Sequence, residues 1–301
     1  MTINPTAAIV GGNGVAASNR NQPHTYRLAK GQMLQLGQNT ELSGSTISSN
    51  KPVGVWGGMT CMFIPVDHYS CDGAHQQLVP VGLLGTEYTA VRYRDRSAAV
   101  RESVPWTLVG AVDRTMLTYH PATPPGAPAV INRGQTVRFS AAEAFTVRSS
   151  DEQHPFYLAG HMTGRDTVQP DYPQGDPETV NVVPPKRWLT SYLFLTDSSY
   201  KTTNLVFVRR KESDQRFYDV TLDCIGKVTG WTPIGTDGLY EFTRVDLVTE
   251  GKPNGTCDNG VHTAVSNAPF ALTVWGWDYA VSYAYPAGMG VRKINDVIIV
   301  P

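Results

Sequence analysis

The side chains best able to move protons at neutral pH are seven histidines: His24, His68, His75, His120, His154, His161 and His262. Imidazole suits general acid–base work, but only beside partners at fixed spacing. No His-Glu-x-x-His segment sets two imidazoles on one helix face for zinc. No Gly-x-Ser-x-Gly turn exposes a serine nucleophile. Asp67-His68 and Asp72 with His75 lie within or beside the stretch from Cys61 to Cys71. They would form a small metal or acid–base cluster if folding brought His161 to them, and are otherwise solvated loop residues. Paired carboxylates for glycoside hydrolysis would come from Asp151, Glu152, Asp166, Asp171, Asp176 or Glu178. These sit in turn-rich segments, where Asp and Glu are expected for backbone reasons. Asp258-Asn259-Gly260 offers oxygen atoms to a loop calcium ion, without an EF-hand pattern. Gly11-Gly12-Asn13-Gly14 lacks the Lys-Ser/Thr of a phosphate loop. Nothing here calls for a catalytic residue, a cofactor or a resident metal.

Four cysteines allow three connectivities. Local pairing, Cys61 with Cys71 and Cys224 with Cys257, is the simplest because each pair staples one region internally. No Cys-x-x-Cys spacing suggests zinc. Disulfides point to an oxidising compartment. The N-terminus, Met-Thr-Ile-Asn-Pro-Thr, has no basic start and no apolar run, so it does not read as a signal peptide. The chain is then either intracellular or a piece of a longer secreted protein, and the cysteines favour the second. Asn254-Gly255-Thr256 fits a glycosylation acceptor, a tripeptide common by chance.

Aromatic residues offer binding chemistry instead. Trp275, Trp277, Tyr279, Val281, Tyr283 and Tyr285 alternate with small or polar residues. On one continuous strand they would share a face. Such a face is either core or, at an exposed rim, a surface for a protein or glycan. Trp275, Trp277, Tyr279, Tyr283 and Tyr285 are the candidate ligand-binding residues, with the Cys61–Cys71 loop as a second candidate.

The elements that must position these residues are β-strands. Turn signals recur every 8–12 residues from Thr25 onward, the pattern of a sandwich or barrel. Expected strands include Met33–Leu36, Val53–Trp56, Glu87–Tyr93, Thr107–Val112, Thr115–Tyr119, Leu189–Leu195, Asn204–Arg209, Tyr240–Val248 and Ala271–Tyr285. Short helical turns suit Pro80–Leu84 and Pro184–Leu189. The proline-rich stretch 120–128 and the five-proline stretch 169–185 read as loops.

Three segments echo one another: 48–58, 149–160 and 266–276, each a polar turn, a proline and an apolar run reaching glycine. Val79-Pro80 and Val183-Pro184 add to the echo, each with a tyrosine eight residues beyond its proline, Tyr88 and Tyr192. The expected architecture is all-β: tandem sandwich-like units built from a threefold repeat. A flexible lead-in over 1–23 precedes units at 24–112, 113–200 and 201–301. Charged residues are 17% of the chain, below the usual quarter, and the net charge is −1. No broad field favours nucleic acid or anionic membrane. No apolar run is long enough for a transmembrane helix.

Several of these strings resemble one family. Ser48-Ser49-Asn50-Lys51-Pro52-Val53-Gly54-Val55-Trp56-Gly57-Gly58 is followed by Cys61, then by Cys71-Asp72 and Gln77-Leu78-Val79-Pro80. Gly260-Val261-His262 precedes Ser266-Asn267-Ala268-Pro269-Phe270, and Ser282-Tyr283-Ala284-Tyr285-Pro286-Ala287-Gly288-Met289-Gly290 closes the pattern. Together they resemble the IgGFc-binding protein N-terminal family over residues 25–294. The chain departs from it between Cys71 and Leu78, where the histidine sits at 75 and the acidic residue before glutamine is absent. The resemblance implies a non-catalytic, extracellular or cell-surface β module, with immunoglobulin Fc as one ligand. Expected partners are a protein or glycan at a cell or matrix surface, with self-association through edge strands open. A polysaccharide-active hydrolase would instead show a cleft with two carboxylates about 5–10 Å apart. A structural spacer would show no exposed apolar patch.

Overall fold

The computed structural model describes residues 1–168 and 174–299. It is all-β, with three short 3₁₀ turns among the described residues. Gln169–Pro173, including Asp171 and the start of the expected proline-rich loop, lie outside the described residues.

The N-terminal segment carries β1 (Thr2–Asn4), β2 (His24–Thr25) and β3 (Thr46–Ser48), with β1 in the middle. A separate hairpin follows, β4 (Trp56–Phe63) and β5 (Cys71–Gln77). The expected lead-in is part of this structure, since Ile3 and Ile9 bury with Tyr26. Leu34 and Leu36 pack on that small core, but Met33–Leu36 pairs with no neighbour and is not a strand. Apolar alternation alone does not supply a ladder partner.

The next eight strands form a two-sheet sandwich. They are β6 (Glu87–Ala90), β7 (Val104–Gly110), β8 (Thr115–His120), β9 (Val130–Ile131), β10 (Thr136–Ala141), β11 (Phe145–Ser149), β12 (Phe156–Met162) and β13 (Glu178–Asn181). One sheet runs β6-β11-β8-β9, the other β10-β7-β12-β13. Alternate residues such as Trp106, Leu108, Phe156 and Leu158 turn inward against Tyr88, Leu117 and Phe145. Each fully buried side chain of this size contributes roughly 1.5–3 kcal/mol.

The rest of the chain repeats this order. Its strands are β14 (Leu189–Leu195), β15 (Thr202–Arg210), β16 (Val220–Leu222), β17 (Gly226–Lys227), β18 (Thr232–Pro233), β19 (Tyr240–Thr249), β20 (Lys252–Pro253), β21 (Val261–Asp278) and β22 (Val281–Pro286). The first part of β21 lies between β14 and β16, and its second part lies between β15 and β22. Pro269, with no amide to donate, sits where the strand passes from one set of partners to the other. The order β14-β21-β16-β17 therefore matches β6-β11-β8-β9, and β19-β15-β21-β22 matches β10-β7-β12-β13.

A shared tyrosine lock marks the duplication. The Tyr88 hydroxyl accepts the Gly85 N–H (2.9 Å) and donates to the Phe156 carbonyl (2.6 Å). The Tyr192 hydroxyl accepts the Leu189 N–H (3.0 Å) and donates to the Phe270 carbonyl (2.5 Å). Both rings lie 4.9 Å from the phenylalanine whose carbonyl they hold. The first segment has a hairpin before Val79-Pro80, as β13 lies before Val183-Pro184, but no such lock at Val53 among the described residues. Two of the three echoing copies thus share a fold, and a threefold repeat is not established. Pairing also crosses the expected divisions. Residues 112/113 fall in the turn joining β7 to β8 within one core, and 200/201 falls between β14 and β15.

The sandwiches meet through β21 and β15. Leu205, Phe207 and Val274 face their own core, whereas Val206, Trp275 and Trp277 join the core of the preceding sandwich. Tyr88→Phe and Tyr192→Phe are each expected to cost about 1–3 kcal/mol, because each strands a buried carbonyl and an amide, buried at Gly85 and half-buried at Leu189. Urea unfolding measures this; unchanged midpoints would show that the hydroxyls hold nothing.

Candidate interaction site at three hairpin ends

The aromatic face expected along 275–285 is split by its turn. Tyr279 and Ala280 form a two-residue connection, with Ala280 at φ 55°, and Asp278 pairs with Val281. Pairing then sets each odd residue opposite an even one: Trp275 to Ala284 and Gly276 to Tyr283. Opposed residues share a face. Trp275 and Trp277 therefore point to the preceding sandwich, 2% and 1% exposed, and ring against Tyr93 at 4.8 and 5.9 Å. Tyr283 and Tyr285 point the other way, against the second core. The Tyr283 ring lies over Gly276, where a Cβ would come within 2.0 Å of it. The five residues are not one contact surface. Only Tyr279, at the turn, is strongly exposed at 65%.

The structure joins Tyr279 to the other candidate, the Cys61–Cys71 loop. That disulfide is formed, as is Cys224–Cys257. The loop returns between β4 and β5, with Ile64 buried and Val66 and Tyr69 projecting, 88% and 69% exposed. The Gly164 N–H donates to the Ile64 carbonyl at 2.7 Å. His68 Nδ1 meets Asp166 Oδ2 at 2.7 Å. The segment after β12 thus pins the disulfide loop. It also pins the β21–β22 turn, since the Gly175 N–H donates to the Asp278 carbonyl (2.8 Å) and Trp277 Nε1 donates to Gln174 Oε1 (3.3 Å). Between the loop and the turn stands Arg165, its guanidinium 5.9 Å from the Tyr69 ring and 6.0 Å from the Tyr279 ring. Among the described residues its only ion contact is Asp176, at 4.0 Å. Sequence reasoning named both tyrosine-bearing parts and Asp166, but not Arg165, whose role depends on tertiary approach.

Carboxylates lie beneath this tip. Burial, with the Asp72 charge adding to it, pushes Glu178 up to about 8. Burial likewise pushes Asp176 up to about 6, against the hydrogen bond it accepts from the Arg165 backbone. His161 does not join His68. It is buried between Thr107 Oγ1 and Thr179 Oγ1, both at 2.8 Å, and burial pulls it down to about 4. It is a neutral structural imidazole. No serine or cysteine side chain is hydrogen-bonded to His68 among the described residues. Asp151 bonds His154 and Glu152 pairs with Lys186.

At the other candidate metal loop, oxygens are already used. Asp258 Oδ1 accepts the Asn259 N–H, and Asn259 Oδ1 accepts the Thr203 hydroxyl. Asp223, Cys224 and His262 lie within ligand spacing, but the Cys224 sulfur is committed to its disulfide.

A family profile described as IgGFc binding protein matches residues 1–276. The chain belongs to the IgGFc-binding protein family. The match takes in residues 1–23, expected to be a flexible lead-in and carrying β1, and stops before Ser282–Gly290. The chain is similar to the human IgGFc-binding protein, 24% identical over 276 residues. That alignment covers 88% of this chain and 4% of the human protein. No solved structure matches. The profile spans the Cys61–Cys71 loop and the segment after β12, and ends just before the β21–β22 turn that carries Tyr279.

Glu178 gives a pH test. Its carboxyl stays protonated in the fold while the unfolded chain ionises near the ordinary glutamate value. The folded state then binds more protons, and its stability falls as pH rises from about 4.5 to about 8. Glu178→Gln keeps the acceptor oxygen and is expected to gain roughly 2–4 kcal/mol near pH 8, with no gain near pH 4. Denaturation at both values decides it; an equal effect at both would remove burial of the acid as the cause.

Proposed function

We propose that this chain is an extracellular protein-recognition module of a longer polypeptide, acting without catalysis. Its contact surface is the tip formed by Val66, Tyr69, Arg165 and Tyr279. One observation carries the reading: two strongly exposed tyrosines flank a guanidinium that is barely paired, on a base fixed by a disulfide and backbone hydrogen bonds. Tyrosine and arginine are enriched at interface hot spots, because they combine large contact area with hydrogen bonding. A pre-fixed tip loses little freedom on binding. The two disulfides support an oxidising compartment, and no helix is long and apolar enough to cross a membrane among the described residues.

The human relative's name makes immunoglobulin Fc the first partner to try. Mucins and glycan arrays test the glycan alternative. Tyr69→Ala, Tyr279→Ala and Arg165→Ala are each expected to weaken a saturable interaction by about tenfold or more. Met33→Ala, at an exposed site far from these side chains in sequence, serves as the neutral control. Surface plasmon resonance on oxidised protein measures the effect. Binding untouched by all three tip substitutions would move the site elsewhere, and absence of any saturable binding would sink the recognition reading.

A further inference from the structure

Many sheet edges among the described residues are guarded. β2, β9, β17, β18 and β20 are two residues long, and the last three carry Lys227, Pro233 and Lys252-Pro253. β10 carries Arg138, which pairs with Glu41, and β6 carries Glu87, which pairs with Arg148. β14 has no charge, but the C-terminal end of its edge is capped. The Leu195 N–H and carbonyl both bond the Tyr285 hydroxyl, and the Asp197 N–H bonds the Tyr283 hydroxyl. These are the usual devices against strand-to-strand association: short edges, charges, prolines and covers.

β4 has none of them. Its eight residues, Trp-Gly-Gly-Met-Thr-Cys-Met-Phe, hold no charge and no proline. It pairs with β5 on one side and with no strand on the other among the described residues. Seven of the eight residues are exposed, with Trp56 at 63% and Met59 at 51%. The register shift between Met59 and Met62 breaks the regular edge after Met59, so regular pairing is available over Trp56–Met59.

We infer that the open edge of β4 pairs antiparallel with β4 of a second copy of this chain, forming a four-stranded ribbon β5-β4-β4-β5. The occupant must bring an unsatisfied strand edge of its own, and among the described residues β4 is the longest strand that is paired on one side only and carries neither charge nor proline. Charge is compatible, since an uncharged strand meeting itself opposes no like charges. Gly57 and Gly58 keep the middle of the paired stretch free of bulk, while Trp56 and Met59 lose water at its ends. A twofold contact of this kind closes on itself and stops at a dimer. Because the strands run antiparallel, the two hairpin tips lie at opposite ends of the ribbon. A dimer would then bridge two partners rather than grip one twice.

Sedimentation equilibrium of the oxidised chain, from micromolar to millimolar, tests this without any partner. A reversible monomer–dimer equilibrium is expected. Trp56→Lys and Met59→Lys, both at exposed positions, are each expected to weaken it by about tenfold or more, since a lysine on an edge opposes pairing. Arg165→Ala and Met33→Lys should leave it unchanged. Amide exchange across residues 56–59 should slow as concentration rises. A monomer at every concentration overturns the inference, and so does a dimer that both edge substitutions leave intact.

Discussion

One buried guanidinium joins Thr163 to Gln174, the residues beside those that touch the two hairpin ends. The side chain of Arg96 is fully excluded from solvent and that of Glu102 nearly so. Removing such a pair from water costs several kcal/mol per ion, and the charges alone repay it only when every donor is used. Here every donor is. Nε and Nη2 reach Glu102 Oε2, Nη2 also reaches Thr163 Oγ1, and Nη1 reaches the carbonyls of Thr163 and Gln174. Glu102 is satisfied in turn by the Arg96 N–H and the Tyr93 hydroxyl. Thr163 and Gln174 bracket the segment that holds His68 on one side and the β21–β22 turn on the other. The ion pair therefore does not merely stabilise a loop. It ties the backbone at Thr163 to the backbone at Gln174, and a lysine in its place would have too few donors to do so.

That arrangement explains what could be read from the residues beforehand. The strands that alternate, such as β8 and β14, stood out because burial on one face of a sheet imposes a period of two. The spacing of Tyr88 and Tyr192 from Val79-Pro80 and Val183-Pro184 also stood out. It proved to be the trace of a hydrogen-bonded lock used in both sandwiches. The first copy of the echo misled, because proline-punctuated apolar runs arise wherever a strand must start. Parity across 275–285 misled for a sharper reason. An alternating string looks the same whether it is one strand or a hairpin, and a two-residue turn exchanges the faces. Gly276, opposite Tyr283, was the available sign, since a missing side chain marks a ring packed on the backbone.

The tip was half legible. Cysteines announce a stapled loop, whereas Tyr279 was named for its place in an aromatic alternation and not for the turn that exposes it. Arg165 and Asp166 act through approach across about a hundred residues of chain, which no local pattern records. His161 shows the converse. A histidine in a β-strand looks available in sequence, yet two threonine hydroxyls on neighbouring strands consume both ring nitrogens and burial keeps it neutral. The difference between His68 and His161 lies in their neighbours, not in their own residue type.

The N-terminal segment has a small core of its own, Ile3, Ile9 and Tyr26 with a few partly buried neighbours. A core of that size does not pay for ordering some eighty residues at about 1–2 kcal/mol each. It leans instead on the first sandwich: Glu41 meets Arg138, the Asn181 side chain donates to the Gln77 carbonyl, and Thr179 reaches Met62. Those contacts, with the disulfide, hold one face of the β4–β5 hairpin. Trp56, Met59, Val66 and Tyr69 remain exposed. If order were the only requirement, polar side chains at these positions would serve as well and would guard the edge. Large apolar groups on a hairpin already anchored from behind make physical sense where another surface covers them. The distribution divides accordingly: aromatic and cationic groups at the tip, uncharged and glycine-rich residues along the edge.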